Sequence, residues 1–225
     1  MRSRAELYDW ELAHVSGRGH QDLAFYAGLA AGRAGPVLEL GCGTGRLTVP
    51  LDAVGLDIDP AMLQMARRRG ARRLVRADMR RFAFAGRFSL VAIPYNTLQL
   101  LASDAEVTAC LRAAADHLLP GGVVGFEVTD FQAGVVRTEV APERLAHADG
   151  VTLYGALSHD LPGRVTTYRR HFEEGGRHRR DEIRLRCLRA EDLERLLAGA
   201  GLAPVEVVAD GPRRLVAAAA ASRRA

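Results

Sequence analysis

Val37-Leu38-Glu39-Leu40-Gly41-Cys42-Gly43-Thr44-Gly45 is the stretch from which the fold follows. A short apolar run holding one acid leads into three glycines at alternate positions. Such a run ending in Gly-x-Gly-x-Gly predicts a buried strand that turns sharply into a helix. Glycine supplies positive φ, and without a Cβ it lets a ligand approach the backbone. A nucleotide-type pocket is implied, and the spacing narrows the choice. A dinucleotide fingerprint has Gly-x-Gly-x-x-Gly, whereas here the third glycine comes one residue early and Arg46 follows it. A phosphate-cradling P-loop ends in Gly-Lys-Ser/Thr, and this chain has no lysine.

Glu39, Gly41, Gly43 and Gly45 match Glu/Asp-x-Gly-x-Gly-x-Gly position by position. In this the chain resembles the class I S-adenosylmethionine (SAM) methyltransferases of small-molecule type, whose motif I has that form. The resemblance covers Val37 to Val128 well and the C-terminal part loosely. It implies a Rossmann-like α/β fold, a doubly wound sheet that is mostly parallel with an antiparallel last strand. It implies SAM as cofactor and S-adenosylhomocysteine as product. Glu39, Gly41, Cys42, Gly43 and Gly45 would then lie against the methionine end of SAM. Val54-Gly55-Leu56-Asp57 reads as the second strand, ending in an acid that can accept from both hydroxyls of a ribose. The family places an acid there for that purpose, so Asp57 is the ribose candidate and Ile58 should pack on the adenine face. Asp78 and Met79 stand where the family accepts from the adenine amino group and donates a backbone N–H to a ring nitrogen; capping a turn is the alternative for Asp78. Tyr8-Asp9 is placed like the Tyr-Asp that lies over the SAM pocket in relatives, although Tyr8 and Trp10 equally suit a helix anchor.

Phe88 to Ile93 reads as the fourth strand, running into Pro94-Tyr95-Asn96-Thr97-Leu98. Ligands in open α/β sheets bind beyond the carboxyl ends of the strands, so Pro94 should line the cofactor pocket. Tyr95 and Asn96 are the candidates for the reaction zone, as orienting groups. The stretch resembles the Pro-x-Asn-Ser/Thr-Leu of small-molecule methyltransferases, and not the Asn/Asp-Pro-Pro-Tyr/Phe of base-amino methylases. Relatives often carry a histidine shortly afterwards. Leu100 and Leu101 stand there instead, which removes one general base. No clustered His/Asp/Glu set for a catalytic metal is visible in the linear chain. Methyl transfer from a sulfonium needs alignment and exclusion of water above all. A neutral amine has only to lose a proton, whereas a hydroxyl usually needs a base or a metal. The expectation is transfer to a nitrogen or oxygen of a small molecule, mainly by proximity and orientation. RNA or protein methylation, or a non-catalytic SAM-binding regulator, are the alternatives.

The 225 residues suit a single domain, with a core of about 34–129 and 189–221 and an accessory lid of about 130–188. With 48% apolar residues a sizeable core can form. No apolar run approaches a membrane span, and Met1-Arg2-Ser3-Arg4 is unlike a signal peptide. Cys42, Cys110 and Cys187 are odd in number and far apart, which fits buried thiols and a cytoplasmic location. The net charge of +4 rests on arginine alone. Arg67, Arg68, Arg69, Arg72 and Arg73 lack interleaved aromatics to stack on bases, so a solvated helix end is favoured over a nucleic-acid patch. A small-molecule acceptor is the expected partner; a homodimer stays open.

Apolar spacing predicts helices around Leu7 to Leu12 and Leu23 to Leu29, then a helix over Thr44 to Leu51 after the glycine loop. That last helix is unusually short for joining parallel strands. Either it is truncated, or residues are missing between Val49 and Val54. Asp59-Pro60 should cap the next helix, and Ser103 with Glu106 forms a capping-box pattern. Pro120-Gly121-Gly122 turns into a fifth strand, Val123 to Val128, whose Glu127 suits a substrate contact or an ion pair. Beyond Thr129 the period changes. Val151 to Leu157, Val165 to Phe172 and Glu182 to Cys187 suggest a small antiparallel accessory sheet of three strands roofing the pocket. His159, Arg169, His171 and Arg184 are candidate lid groups, with a sheet-surface role as the alternative. Ala190 to Ala200 is a helix, and Val205 to Ala209 with Leu215 to Ala219 should close the main sheet. Asp210 to Arg213 is short for that connection, a second place where residues could be missing.

Overall fold

The protein's structure is a computed structural model that describes residues 1–15 and 21–221. In chain order its first half comprises α1 (Arg4–His14), α2 (Gln21–Ala31), β1 (Val37–Leu40), β2 (Val54–Asp57), α3 (Pro60–Arg69), β3 (Arg73–Arg76), β4 (Phe88–Ile93) and α4 (Asp104–Asp116). The second half comprises β5 (Leu118–Thr129), β6 (Glu139–Ala148), β7 (Val151–Asp160), β8 (Val165–Glu174), β9 (Arg177–Arg186), α5 (Ala190–Gly199), β10 (Leu202–Asp210) and β11 (Arg213–Ala220).

Strands buried on both faces must be covered on both, and the apolar residues of β1, β4 and β5 alternate between two helical layers. Leu38, Leu40, Val91, Ile93, Val124 and Phe126 pack with Val107, Cys110 and Leu111 of α4 and with Leu193, Leu196 and Leu197 of α5. Val37, Leu90, Ala92 and Val123 pack on the other face with Tyr26 and Leu29 of α2. The sheet runs β10-β11-β5-β4-β1-β2-β3. β11 runs antiparallel to its neighbours β5 and β10, and β5-β4-β1-β2-β3 are mutually parallel. This is the expected doubly wound, Rossmann-like sheet. Cys42, Cys110 and Cys187 are buried free thiols. Among the described residues no helix is long and apolar enough to cross a membrane.

The expected helix over Thr44 to Leu51 is instead a run of hydrogen-bonded turns. Val49 N–H donates to Gly45 O and Leu51 N–H to Leu47 O, but Pro50 has no N–H to give. Asp52, at φ 45°, then ends the run. Its N–H reaches Val49 O and the Ala53 N–H reaches Thr48 O, the paired bonds of a Schellman stop. The crossover is thus the truncated alternative, closed within the residues present. The second suspect place is a hairpin in which Asp210 pairs directly with Arg213 around Gly211-Pro212. At the end of α3, Arg67, Arg68 and Arg69 form the last turn before a left-handed Gly70, where cations suit the helix dipole.

The accessory sheet has four strands, β6-β7-β8-β9, not three. The extra strand, β6, is an edge strand, almost wholly exposed, with Pro142 inside a register shift between Val140 and Glu143. A proline is tolerated at such an edge bulge, and exposure erases the alternation by which a strand is recognised. α1 joins this sheet to the rest. Its Leu7 and Trp10 pack with Val151, Leu153 and Phe172 of β7 and β8.

Candidate active site

The strand order reverses between β4 and β1, and the glycine loop and Pro94–Thr97 leave from the carboxyl ends of these two strands. Crevices at such switch points are where open α/β sheets bind ligands. Gly41, Gly43 and Gly45 have φ of +67°, +51° and +82°. The three have different surroundings. A Cβ on Gly41 would collide with the Thr97 methyl, and one on Gly45 would lie 3.1 Å from the Cα of Ala66 in α3. A Cβ on Gly43 would meet only Tyr8, whose Cε1 is 3.9 Å away. Gly41 and Gly45 therefore serve close packing within the chain, and Gly43 faces the space between the loop and α1.

Asp57 ends β2 beside this loop. Its Oδ2 accepts from Gly43 N–H at 2.8 Å and its Oδ1 from Asp59 N–H at 2.9 Å. Each oxygen keeps a second lone pair. Ile58, next in sequence, is 63% exposed, a large apolar side chain at the sheet's carboxyl edge with little protein over it. Asp78 is held by Arg80 through both guanidinium and backbone N–H, which lowers its carboxyl to about 2. Met79, the next residue, packs against the main core.

Glu39 lies beneath the loop and is 2% exposed. Its Oε2 accepts from the Thr48 hydroxyl. Burial pushes its carboxyl up to about 8, against the opposing pull of Thr48 and Arg46. The folded state therefore holds this proton more tightly than the unfolded chain. Glu39's contribution to stability is complete below the ordinary glutamate range and drains away as the pH rises towards about 8. Urea unfolding of the ligand-free protein at pH 5 and pH 9 tests this. Glu39→Gln is expected to remove on the order of 2 kcal/mol of the wild-type loss over that interval. Equal losses in both proteins would contradict it.

α1 is pinned over the loop. Asp9 accepts from the Thr44 hydroxyl at 2.5 Å and from Arg69 at 2.7 Å. Arg46 makes two 2.6 Å bonds to the buried Asp22. Tyr8 and Tyr168 both have hydroxyls raised above the ordinary phenol range by burial, and Tyr95 is close enough to act electrostatically on both. Tyr95 itself sits at φ +59°, a left-handed conformation that costs a non-glycine residue ~1–3 kcal/mol and gathers at functional sites. Asn96 Oδ1 is buried and accepts no hydrogen bond from the described residues. Tyr95, between Pro94 and Asn96 at the carboxyl end of β4, is thus within electrostatic reach of Tyr8 on α1. Glu127, near the end of β5, is buried in a 2.7 Å pair with Arg213, the ion-pair alternative for this acid.

The lid contacts differ from the expected ones. Glu11 of α1 accepts from Tyr168 at 2.9 Å and from Arg170 at 2.7 Å, and Arg170 also makes two bonds to Asp181. Tyr168, Arg170 and Phe172 share the face of β8 that meets α1. Arg169 and Arg184 are exposed, and His171 lies beside Tyr154 and His178 on the same outward face. His159 is buried but bonded to Thr166 within the sheet. Only the phase of the alternation distinguishes the two sets, and that phase depends on where α1 docks. Strand pairing also brings together residues that are apart in the linear chain: the ligand-type atoms of His171, Glu173 and His178 lie within 4.8 Å of one another, away from the glycine loop.

Fold and loop together define a Rossmann-like α/β protein with a glycine-rich loop at the topological switch point of its sheet. A family model described as a methyltransferase domain matches residues 37–122. A dTDP-3-amino-3,6-dideoxy-alpha-D-glucopyranose N,N-dimethyltransferase from Streptomyces fradiae is 32% identical over 92% of this chain and 86% of its own. The structure of DesVI from Streptomyces venezuelae superposes with a TM-score of 0.83 at 26% identity, covering 98% of this chain and all of that one. SAM-bound CalS10 from Micromonospora echinaspora, an amino pentose methyltransferase, gives a TM-score of 0.75 at 27% identity over 97% of this chain and 98% of its own. The chain belongs to the class I SAM-dependent methyltransferases that act on small molecules. It is an enzyme, and SAM is its methyl donor.

Proposed function

We propose that this enzyme methylates the amino nitrogen of a nucleotide-linked amino sugar in the cytoplasm. The observation that carries the nitrogen is the 32% identity, over 92% of this chain, to an N,N-dimethyltransferase. Asn96 Oδ1, a buried acceptor without a partner among the described residues, beside the strained Tyr95, supports an acceptor group that brings a donor hydrogen to this place. The sugar is supported by the 32% identity to the dTDP-amino-sugar N,N-dimethyltransferase, which extends over nearly the whole chain.

When bound, SAM supplies a methyl group on a sulfonium, which departs as neutral S-adenosylhomocysteine. The chain's own part is to bind, orient and exclude water. Gly41, Cys42, Gly43 and Gly45 shape the wall for the methionine end, with Glu39 beneath them and Tyr8 across the gap. Asp57 takes the ribose, Ile58 the adenine face, and Asp78 and Met79 the adenine edge, with Pro94 closing the pocket. Asp78 then has to share its carboxylate between adenine and Arg80. Tyr8 and Tyr168 have hydroxyls raised above the ordinary phenol range, so both stay protonated at neutral pH and do not act as bases. An amine that arrives deprotonated needs none before transfer, and afterwards the new ammonium gives its proton to solvent. Tyr95 and Asn96 orient it.

The test is incubation with SAM and a dTDP-linked 3-amino-3,6-dideoxyhexose, with its 3-hydroxy counterpart in parallel, read by mass spectrometry. Methyl addition to the amine with none to the hydroxyl is expected. Methylation of the hydroxyl compound alone, or of neither while an RNA or protein substrate is methylated, would overturn the assignment.

A further inference from the structure

We propose that His171, Glu173 and His178 form a three-ligand site for a divalent transition metal of the zinc class on the outward face of the β8–β9 hairpin. Glu173 and His178 are direct cross-strand partners, and His171 precedes Glu173 by two residues. Side chains alternate along a strand and directly opposed residues share a face, so pairing alone puts all three together.

The separations suit a metal. His171 Nε2 and His178 Nδ1 are 3.1 Å apart, and Glu173 Oε1 lies 3.7 Å from the first and 3.5 Å from the second. A tetrahedral zinc ion with ligands at ~2.0–2.1 Å holds neighbouring ligand atoms ~3.3 Å apart. The three measured distances bracket that value, so an ion can be taken up with shifts of a few tenths of an ångström. Two imidazoles and a carboxylate are a borderline N/O set, preferred by Zn²⁺, Cu²⁺ or Ni²⁺ over Mg²⁺ or Ca²⁺. All three side chains reach solvent, leaving a fourth position for water.

The scaffold is preorganised. Glu174 pairs with Arg177 around Gly175-Gly176, which have φ of +54° and +73°, as a tight two-residue hairpin turn requires. Tyr154 flanks the His171 ring, with centroids 5.9 Å apart, and limits its swing. Arg180, opposite His171 in register, is the nearest like charge on the strand, and it is exposed. The Glu173 carboxylate offsets it.

The site is remote from the reaction zone, on the face of β8 opposite Tyr168, Arg170 and Phe172. Its role is to clamp the hairpin. Glu174, on the same turn, accepts from the Arg2 backbone at 2.5 Å and from its guanidinium at 2.7 Å. A metal on one side and the N-terminal segment on the other would fix the part of the lid against which α1 docks.

The test uses the full chain without a histidine tag, stripped with EDTA and dialysed. Zn²⁺ is titrated by calorimetry, and Co²⁺ by visible absorption. The expected result is one equivalent bound at micromolar concentration or tighter, with intense low-symmetry Co²⁺ bands and a raised Tm. His171→Ala with His178→Ala should weaken binding at least 100-fold, and Glu173→Gln at least 10-fold. His147→Ala, an exposed histidine elsewhere in the same sheet, should leave it unchanged. Circular dichroism of each variant checks that the sheet is intact. No stoichiometric binding by the wild type, or binding that survives the double substitution, overturns the proposal.

Discussion

Gly43→Val is expected to remove most of the SAM-induced thermal stabilisation while the ligand-free protein still folds. The outcome depends on what the new side chain meets. At Gly43 the nearest protein atom to an added Cβ is Tyr8 Cε1 at 3.9 Å, an ordinary contact, so the isopropyl group projects into the gap that the cofactor fills on the proposed assignment. The backbone cost is real, because φ is +51° and a β-branched residue there loses roughly 1–2 kcal/mol. That lowers the ligand-free Tm by several degrees and leaves a folded protein to assay. In the wild type, SAM at about 100 times its Kd adds ~2.7 kcal/mol of stability, an easily measured shift. The variant should show at most about 0.4 kcal/mol at the same concentration, and a Kd raised at least ~100-fold by calorimetry, equivalent to about 2.7 kcal/mol. Gly43→Ala, smaller and less strained, should fall between. Full SAM-induced stabilisation of the valine variant would remove Gly43 from the cofactor wall. The same change at Gly45 is not a comparable test, since its Cβ would press on Ala66 and disturb α3 directly.

The central sheet was legible because its strands are short, apolar on both faces and bounded by glycine and proline. β1, β2 and β4 carry that pattern almost without interruption. The parts that were not legible depend on contacts distant in sequence. β6 shows no alternation because its edge position leaves its first six residues exposed on both faces, and Pro142 argues against a strand unless the bulge is known. The segment after the glycine loop has helical apolar spacing, yet Pro50 and the left-handed Asp52 stop it after little more than a turn. Glu174-Gly175-Gly176, by contrast, marks its hairpin through φ requirements that are local.

The candidate site divides in the same way. The loop glycines and the acids at strand ends are tied to sheet topology, and the structure places Gly43, Asp57 and Ile58 together at the carboxyl edge. The lid residues are tied to the docking of α1. Tyr168 and Arg170 differ from Arg169 and His171 only by one residue of phase, and the partner that decides the phase, Glu11, is 157 positions from Tyr168. A usable signal was present in α1, where Tyr8 and Glu11 are three residues apart and so lie on neighbouring faces of one helix. One faces the glycine loop and the other the accessory sheet, so α1 links the two.

Asp57→Ala is expected to weaken SAM binding about 100-fold or more. Asp57 accepts from the backbone N–H groups of Gly43 and Asp59, and charge-assisted bonds of this kind contribute roughly 1.5–3 kcal/mol each. Two consequences are therefore mixed in the variant. The loop loses the acceptor that fixes Gly43, and the entry to α3 loses the one that orients Asp59, whose side chain caps that helix through Ala61 N–H. The ribose, on the proposed assignment, loses its acceptor as well. A ligand without ribose hydroxyls separates these contributions. If Asp57 contacts the diol, a 2′,3′-dideoxyadenosyl analogue of S-adenosylhomocysteine binds the wild type weakly and in Asp57→Ala loses only the part due to the loop, less than the full ligand loses. The coupling in that cycle should be about 1.5–3 kcal/mol, the value of the missing charged hydrogen bond. If Asp57 only shapes the loop, both ligands lose the same factor and the coupling is zero. Asp57→Asn distinguishes charge from shape: its amide can accept from one of the two N–H groups but turns a donor towards the other. It should therefore bind SAM no better than the alanine variant, and recovery of wild-type affinity by asparagine would show that the negative charge is not required.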